Sequence, residues 1–246
     1  MIAVAGLALV RKKNSHQYPS SVKKLTAFIL EHIQVWPVVA DYLRRVSIAK
    51  DLEVREREFR GIATVYLLDQ KLDKANIREL WELLESVYAL SSRHVDPRTL
   101  VLEYIVYKAG PLGATMNQLD GLQRECQCSV YYYCGDENPP QCLVGSNASF
   151  DVAFLSDCFF EGYECKVKLS NWLHWKAKKS MWKKGVIRKL DFMTEICVRA
   201  GEEDVEATIY LAGLERSIEP YVRALRQNGY SSIAVLGANE LEGLIA

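Results

Sequence analysis

Between Cys165 and Leu190 the chain carries nine basic residues and no acidic one: Lys166, Lys168, Lys176, Lys178, Lys179, Lys183, Lys184, Arg188 and Lys189. Trp172, His174, Trp175 and Trp182 are interleaved with them. Lysines neutralise phosphates, and exposed indoles stack on bases or pack against sugars, so this composition suits a polynucleotide. Lys168, Trp172, Trp175, Lys176, Lys178, Lys179, Lys183, Lys184 and Arg188 are therefore the candidate nucleic-acid-binding residues. The competing reading is that the tryptophans anchor a loop and helix to the core beneath a solvated lysine fringe.

Immediately upstream, Phe150–Leu155 and Tyr163–Leu169 read as strands. Side chains alternate along a strand, so Glu164, Lys166 and Lys168 are expected on one, charged face and Tyr163, Cys165, Val167 and Leu169 on the other, packed face. If the two strands form a tight antiparallel hairpin turning at Asp157-Cys158, the register places Asp151 opposite Glu164, beside the Lys166 ammonium. Two adjacent carboxylates repel unless neutralised, and hard oxygen ligands of this kind suit Mg²⁺ or Mn²⁺. Such an ion would bring positive charge to a scissile phosphate and help to ionise a bound water. Lys166 would either assist that water or stabilise charge in the transition state.

This constellation resembles the PD-(D/E)xK phosphodiesterase superfamily, the restriction-endonuclease-like nucleases. Asp151 matches the isolated acid at a strand start, and Glu164 with Lys166 matches the acid-x-lysine triplet on the next strand. Phe150 stands where the family name has proline. The triplet alone says little: it also occurs at Asp69-Gln70-Lys71, in a helical pattern, so its strand context and the basic segment beyond it carry the match. The resemblance spans roughly residues 98–246. It implies an α/β fold, with a helical N-terminal region followed by a restriction-endonuclease-like core whose mixed central sheet is flanked by helices. It further implies a metal-dependent nuclease, endo- or exo-acting, in which Asp151, Glu164 and the backbone carbonyl of Cys165 hold Mg²⁺ (or Mn²⁺) and Asp151, Glu164 and Lys166 are catalytic. An accessory acid on the preceding helix would be Glu103 or Glu125. DNA is the implied partner, and a homodimer that cuts both strands is a frequent arrangement in such folds.

The elements that must position these residues divide the chain in two. Residues 1–97 read as a helical region for packing, oligomerisation or partner recognition, and 98–246 as the nuclease-like α/β domain. Apolar residues three or four apart predict helices over 20–34, 37–49 and 51–71, and a stripe of Ile77, Leu80, Leu83, Leu84, Val87 and Tyr88 predicts a fourth. Pro97 opens a helix to about Lys108, and Ala-Gly-Pro-Leu-Gly breaks it. A helix capped by Thr115 is expected to reach about Cys126, which would make 99–119 either a helix-turn-helix or two core helices. Strands then follow at 130–134, 150–155 and 163–169, around an Asp-Glu-Asn-Pro-Pro turn at 136–140. A helix over 179–199, a strand at 205–211, a helix at 217–228 and a strand at 232–236 complete the alternation of an α/β layer.

Composition sets outer limits. The 246 residues balance 31 Lys and Arg against 31 Asp and Glu and are 49% hydrophobic, which excludes global disorder and confines any electrostatic specialisation to local segments. The longest apolar run, Met1–Val10, is followed rather than preceded by basic residues, so a buried N-terminal segment and a cytoplasmic, non-membrane protein are expected. Seven cysteines suit reduced core positions; Cys126, Cys128, Cys134 and Cys142 lack the paired C-x2-C knuckles of a strong zinc site. Glycine-rich phosphate loops and dinucleotide fingerprints are missing, which weakens an NTPase or oxidoreductase reading. Two further functions compete with the nuclease: a non-cleaving nucleic-acid-binding module of the same fold, and a protein-interaction scaffold whose Trp-rich segment docks a partner.

Overall fold

A computed structural model describes residues 3–4, 7–11, 18–68, 73–91, 96–114, 121–132, 141–142, 149–177, 179–202 and 204–246. Five helices lead: α1 (Ser20–Glu31), α2 (Trp36–Arg45), α3 (Leu52–Leu68), α4 (Lys74–Tyr88) and α5 (Pro97–Ala109). The α4 helix starts where the Asp73 side chain accepts the Ala75 amide at 3.0 Å, and it buries Leu80, Leu84, Val87 and Tyr88 of the expected stripe. In α5, Asp96 caps the Arg98 amide at 3.0 Å ahead of Pro97 in the first turn, and Gly110 ends the helix. Its residues 101–106 are all buried, so α5 runs through the interior and Glu103 is the one acid it takes there.

Six strands of four or more residues form a mixed sheet: β2 (Leu7–Arg11), β3 (Gln123–Tyr132), β5 (Phe150–Ser156), β6 (Phe159–Lys166), β7 (Glu206–Gly213) and β8 (Ile233–Leu236). Two short pieces, β1 (Ala3–Val4) and β4 (Gln141–Cys142), add to β2 and β3. The order is β1-β2-β3-β5-β6-β7-β8; pairing is antiparallel as far as β6 and parallel from β6 through β7 to β8. The parallel part requires crossovers, supplied by α6 (Leu169–Trp172) with α7 (Lys184–Glu202), and by α8 (Glu219–Gln227); α9 (Ala238–Ile245) closes the chain. Among the described residues no helix is long and apolar enough to cross a membrane.

Helices cover both faces of the sheet. Val152, Phe154, Tyr163, Cys165 and Ala212 join one hydrophobic cluster with residues of α1 to α5 and α9. Ala153, Leu155, Phe160, Ile209 and Leu211 join another with residues of α7 and α8. Both faces are therefore apolar; on the Glu164 strand Tyr163, Cys165 and Val167 share one cluster and Glu164 pairs with Lys166, as expected, but the charged pair is covered rather than solvated and Leu169 enters the opposite cluster. Glu164 itself is only 6% exposed. The strand also ends at Lys166, so Lys168 precedes α6 and does not continue the Glu164 face.

Two further expectations change and one holds. The helix expected from Thr115 does not reach Cys126, because residues 121–122 are not helical and Gln123–Tyr132 is a strand; the second helix of the expected helix-turn-helix falls on residues outside those described. Gln, Arg and Glu favour helix locally, but pairing with both β2 and β5 overrides that preference. Residues 115–120 and the expected turn at 136–140 lie outside the described residues. The N-terminal apolar segment is buried at Leu7, Ala8 and Leu9, as an added strand of the sheet. The long helix begins at Lys184 rather than 179, after a short 3₁₀ turn at Lys179–Met181.

Candidate active site

The β5–β6 hairpin turns at Asp157-Cys158, and Val152 opposite Tyr163 sets the register that brings Asp151 across from Glu164. At Asp151 the regular alternation breaks. Phe150 and Val152 lie two residues apart yet enter opposite clusters, as do Cys126 and Cys128 on the neighbouring strand. Between that second pair sits Gln127 with φ 48°, a left-handed conformation uncommon for a non-glycine residue. This local twist leaves the Asp151 carboxylate to accept the Cys165 amide at 2.8 Å.

Lys166 Nζ lies 2.5 Å from Glu164 Oε1 and 3.3 Å from Asp151 Oδ2, and it donates to the Cys165 carbonyl at 3.0 Å. One ammonium thus gathers the three groups that the resemblance would assign to a metal ion. The two carboxylate oxygens lie within roughly 6 Å of each other, near enough to share a divalent ion. Burial alone would raise the Glu164 carboxyl, but Lys189 and Lys166 outweigh it and hold the pKa below the usual range. Asp151 moves the other way, raised first by burial and then by the Glu164 charge. For Lys166 burial works against the charge, yet Glu164 and Asp151 raise its pKa and secure the ammonium.

Glu103 reaches the same region from α5. Burial, reinforced by the Asp151 charge, pushes its carboxyl up to about 9, and its Oε2 is buried without a hydrogen-bond partner. Glu125, the other accessory candidate, is not on a helix; it lies in β3, opposite Ala153.

These residues fit a divalent cation by donor type: two or three carboxylates and a backbone carbonyl are hard oxygen donors, and the orphaned Glu103 Oε2 has spare acceptor capacity. Among the described residues no three His, Cys, Asp or Glu side chains form a ready metal cage. Lys166 Nζ sits in the gap, so a cation would exchange with an ammonium rather than fill a hollow.

Lys189 is the residue that sequence reasoning placed too far out, as part of the basic fringe. From α7 its Nζ reaches Glu164 Oε2 at 2.5 Å and also donates to the Ser149 carbonyl, under the rings of Phe150 and Phe192. Buried Val186, Leu190 and Met193 at spacings of three, one and four mark its helix face as inward, a signal readable from the sequence.

The rest of the basic segment divides. Trp182 is 4% exposed, donates to the carbonyls of His174 and Ala177, and stacks near Tyr230. It is an anchor, as the competing reading held. Trp175 is half-buried against Tyr221, and Lys176 lies over its ring; Trp172 is half-buried with Lys166 Nζ 6.0 Å from its centroid. Lys179 lies over Tyr230. Lys183, Lys184 and Arg188 are exposed and Lys168 half-buried, whereas Lys178 lies outside the described residues. Cys126 and Cys128 enter opposite clusters, which separates them as zinc ligands; Cys134 and the side chain of Cys142 lie outside the described residues.

No family model, curated protein or solved structure matches this chain.

Proposed function

We propose that the protein is a metal-dependent nuclease that hydrolyses phosphodiester bonds in DNA. The observation that carries this reading is the Lys166 ammonium gathered by Asp151, Glu164 and the Cys165 carbonyl, with Glu103 buried alongside. The order α5, β3, β5, β6, α7, β7, with β6 and β7 parallel, supports it, because it repeats the helix, three strands, helix and strand of the resemblance to restriction-endonuclease-like folds.

Asp151, Glu164 and the Cys165 carbonyl would hold Mg²⁺ or Mn²⁺, with Glu103 in reserve. The bound ion supplies Lewis-acid polarisation of the phosphate and a more acidic water. Lys189 fixes one Glu164 oxygen and leaves the other directed at Lys166. Lys166, held as an ammonium, suits stabilisation of negative charge on the transferring phosphoryl group better than proton abstraction. The exposed Lys183, Lys184 and Arg188, on and just before α7, are placed to bind the backbone of the strand.

Cleavage of duplex, single-stranded and branched DNA with Mg²⁺ or Mn²⁺ tests the proposal. Activity that falls at least about a hundredfold in Asp151→Ala supports it; no cleavage of any substrate, identical in Asp151→Ala, rejects it. One observation favours a second reading, a non-cleaving nucleic-acid-binding module: the lysine already neutralises both carboxylates and could serve as a permanent internal cation. Salt-dependent DNA binding that survives Glu164→Ala without cleavage would select that reading.

A further inference from the structure

Beside the candidate active site, a cavity of about 430 Å³ opens between the start of α1, the end of α5 and β3. Its volume falls within the range of small-molecule sites. The half-buried Tyr107 supplies an aromatic wall, backed by the buried Tyr18 and Tyr104, and Lys23, Lys108 and Arg124 supply charge. Glu125 is the one acid in the lining, against three cations. All three basic residues are exposed, and among the described residues none of them makes an ion pair. Tyr104 packs 4.7 Å from Tyr18 and stacks nearly parallel to Tyr107, while Lys108 sits over the Tyr104 ring.

The cavity adjoins the carboxylates by construction. Tyr107 follows Glu103 by one turn of α5, and Cys126 in the lining precedes Gln127, which hydrogen-bonds Glu103. Burial raises the Tyr18 phenol, and the charges of Glu103 and Asp151 raise it further. The Tyr18 hydroxyl is buried without a hydrogen-bond partner.

An aromatic wall that accepts a base, rimmed by cations that accept a phosphate, is the chemistry of single-stranded nucleic-acid sites. We infer that this cavity binds one unpaired nucleotide of the substrate strand, next to the phosphate presented to Asp151 and Glu164. The inference rests on the nuclease reading for its placement, though not for the binding itself. It gives Lys23, from the helical first part of the chain, a direct share in substrate recognition.

The test is equilibrium binding of a short labelled single-stranded DNA to the full chain in EDTA, where nothing is cleaved. The Lys108→Gln/Arg124→Gln double variant changes exposed residues, and circular dichroism checks its fold. Its affinity should fall about tenfold or more at low salt, with a salt slope shallower by about 1.4. Tyr107→Ala should weaken binding about fivefold or more. A nucleoside 5′-monophosphate should compete better than inorganic phosphate against the wild-type chain, and lose that advantage in Tyr107→Ala. Variants that bind as the wild type does, or a monophosphate that competes no better than phosphate, overturn the inference. If pocket variants lose binding while no form cleaves, the pocket stands and the nuclease reading falls. If cleavage requires Asp151 but the pocket variants keep wild-type KM and affinity, the pocket alone falls.

Discussion

Glu103 gives the sharpest test of the site's electrostatics, because its cost is carried by the metal-free protein and needs no substrate. Its carboxyl titrates near 9 in the folded chain against 4.5 for a free side chain, chiefly because α5 buries it. Below pH 4.5 it is neutral in both states. From there up to about 9 the unfolded chain has released the proton and the folded chain still holds it, so stability falls as pH rises. The slope is about 1.4 kcal/mol per pH unit, so near pH 7.5 the accumulated loss approaches about 4 kcal/mol. Glutamine keeps the shape and has no proton to lose. Glu103→Gln should therefore stabilise the metal-free protein by about 2 to 4 kcal/mol near pH 7.5, and by far less near pH 5. Urea unfolding in EDTA across this range measures it, and Mg²⁺ should raise the stability of the wild type more than that of the variant. Stability curves for the two proteins that run parallel in pH would refute the argument, since Asp151 and the other groups titrate in both.

Three further outcomes follow from the same geometry. Lys166→Met removes the ammonium between the carboxylates, so the metal-free Tm should fall and Mg²⁺ should raise it further than in the wild type; equal Mg²⁺ shifts would mean that the ammonium does not occupy the cation's place. Lys189→Met leaves Glu164 Oε2 buried without its partner and should cost about 3 to 5 kcal/mol, much of it regained in the Lys189→Met/Glu164→Gln double variant; additive losses in that cycle would deny the pair. Gly162→Ala would set a Cβ 2.6 Å from the Phe150 ring, which packs on Phe160 and Phe192 behind Asp151. Denaturant unfolding should show a loss of about 1 to 3 kcal/mol, and a change within about 0.5 kcal/mol would contradict the contact.

The parts of the fold that sequence made legible are those where local chemistry and tertiary packing agree. Asp73 caps a helix with a buried stripe, so the existence of α4 was readable, and Pro97 and Gly110 bracket α5, which was readable within a residue or two. The hairpin and its register were readable because Asp157-Cys158 is flanked by strongly apolar strands. Strand β3 was not, because Gln123–Gln127 has the composition of a helix surface and is held extended by partners distant in sequence. The short N-terminal strands were missed for a related reason: β2 exists only as an addition to β3. In the site, alternation placed Asp151 and Glu164, but it could not show that Lys166 would fold back between them or that Lys189 would arrive from α7. Glu103 had a visible marker, a lone acid within a helix otherwise buried and apolar.

The ammonium between Asp151 and Glu164 also bears on how the molecule can be assembled. In small metal-nucleated domains the chain stays open until the ion arrives, because the ligands repel one another without it. Here the chain brings its own counter-ion on the same strand as one of the carboxylates, two residues away. The hairpin can close, and α5 and α7 can settle on either side of it, during synthesis and in a medium poor in divalent ions.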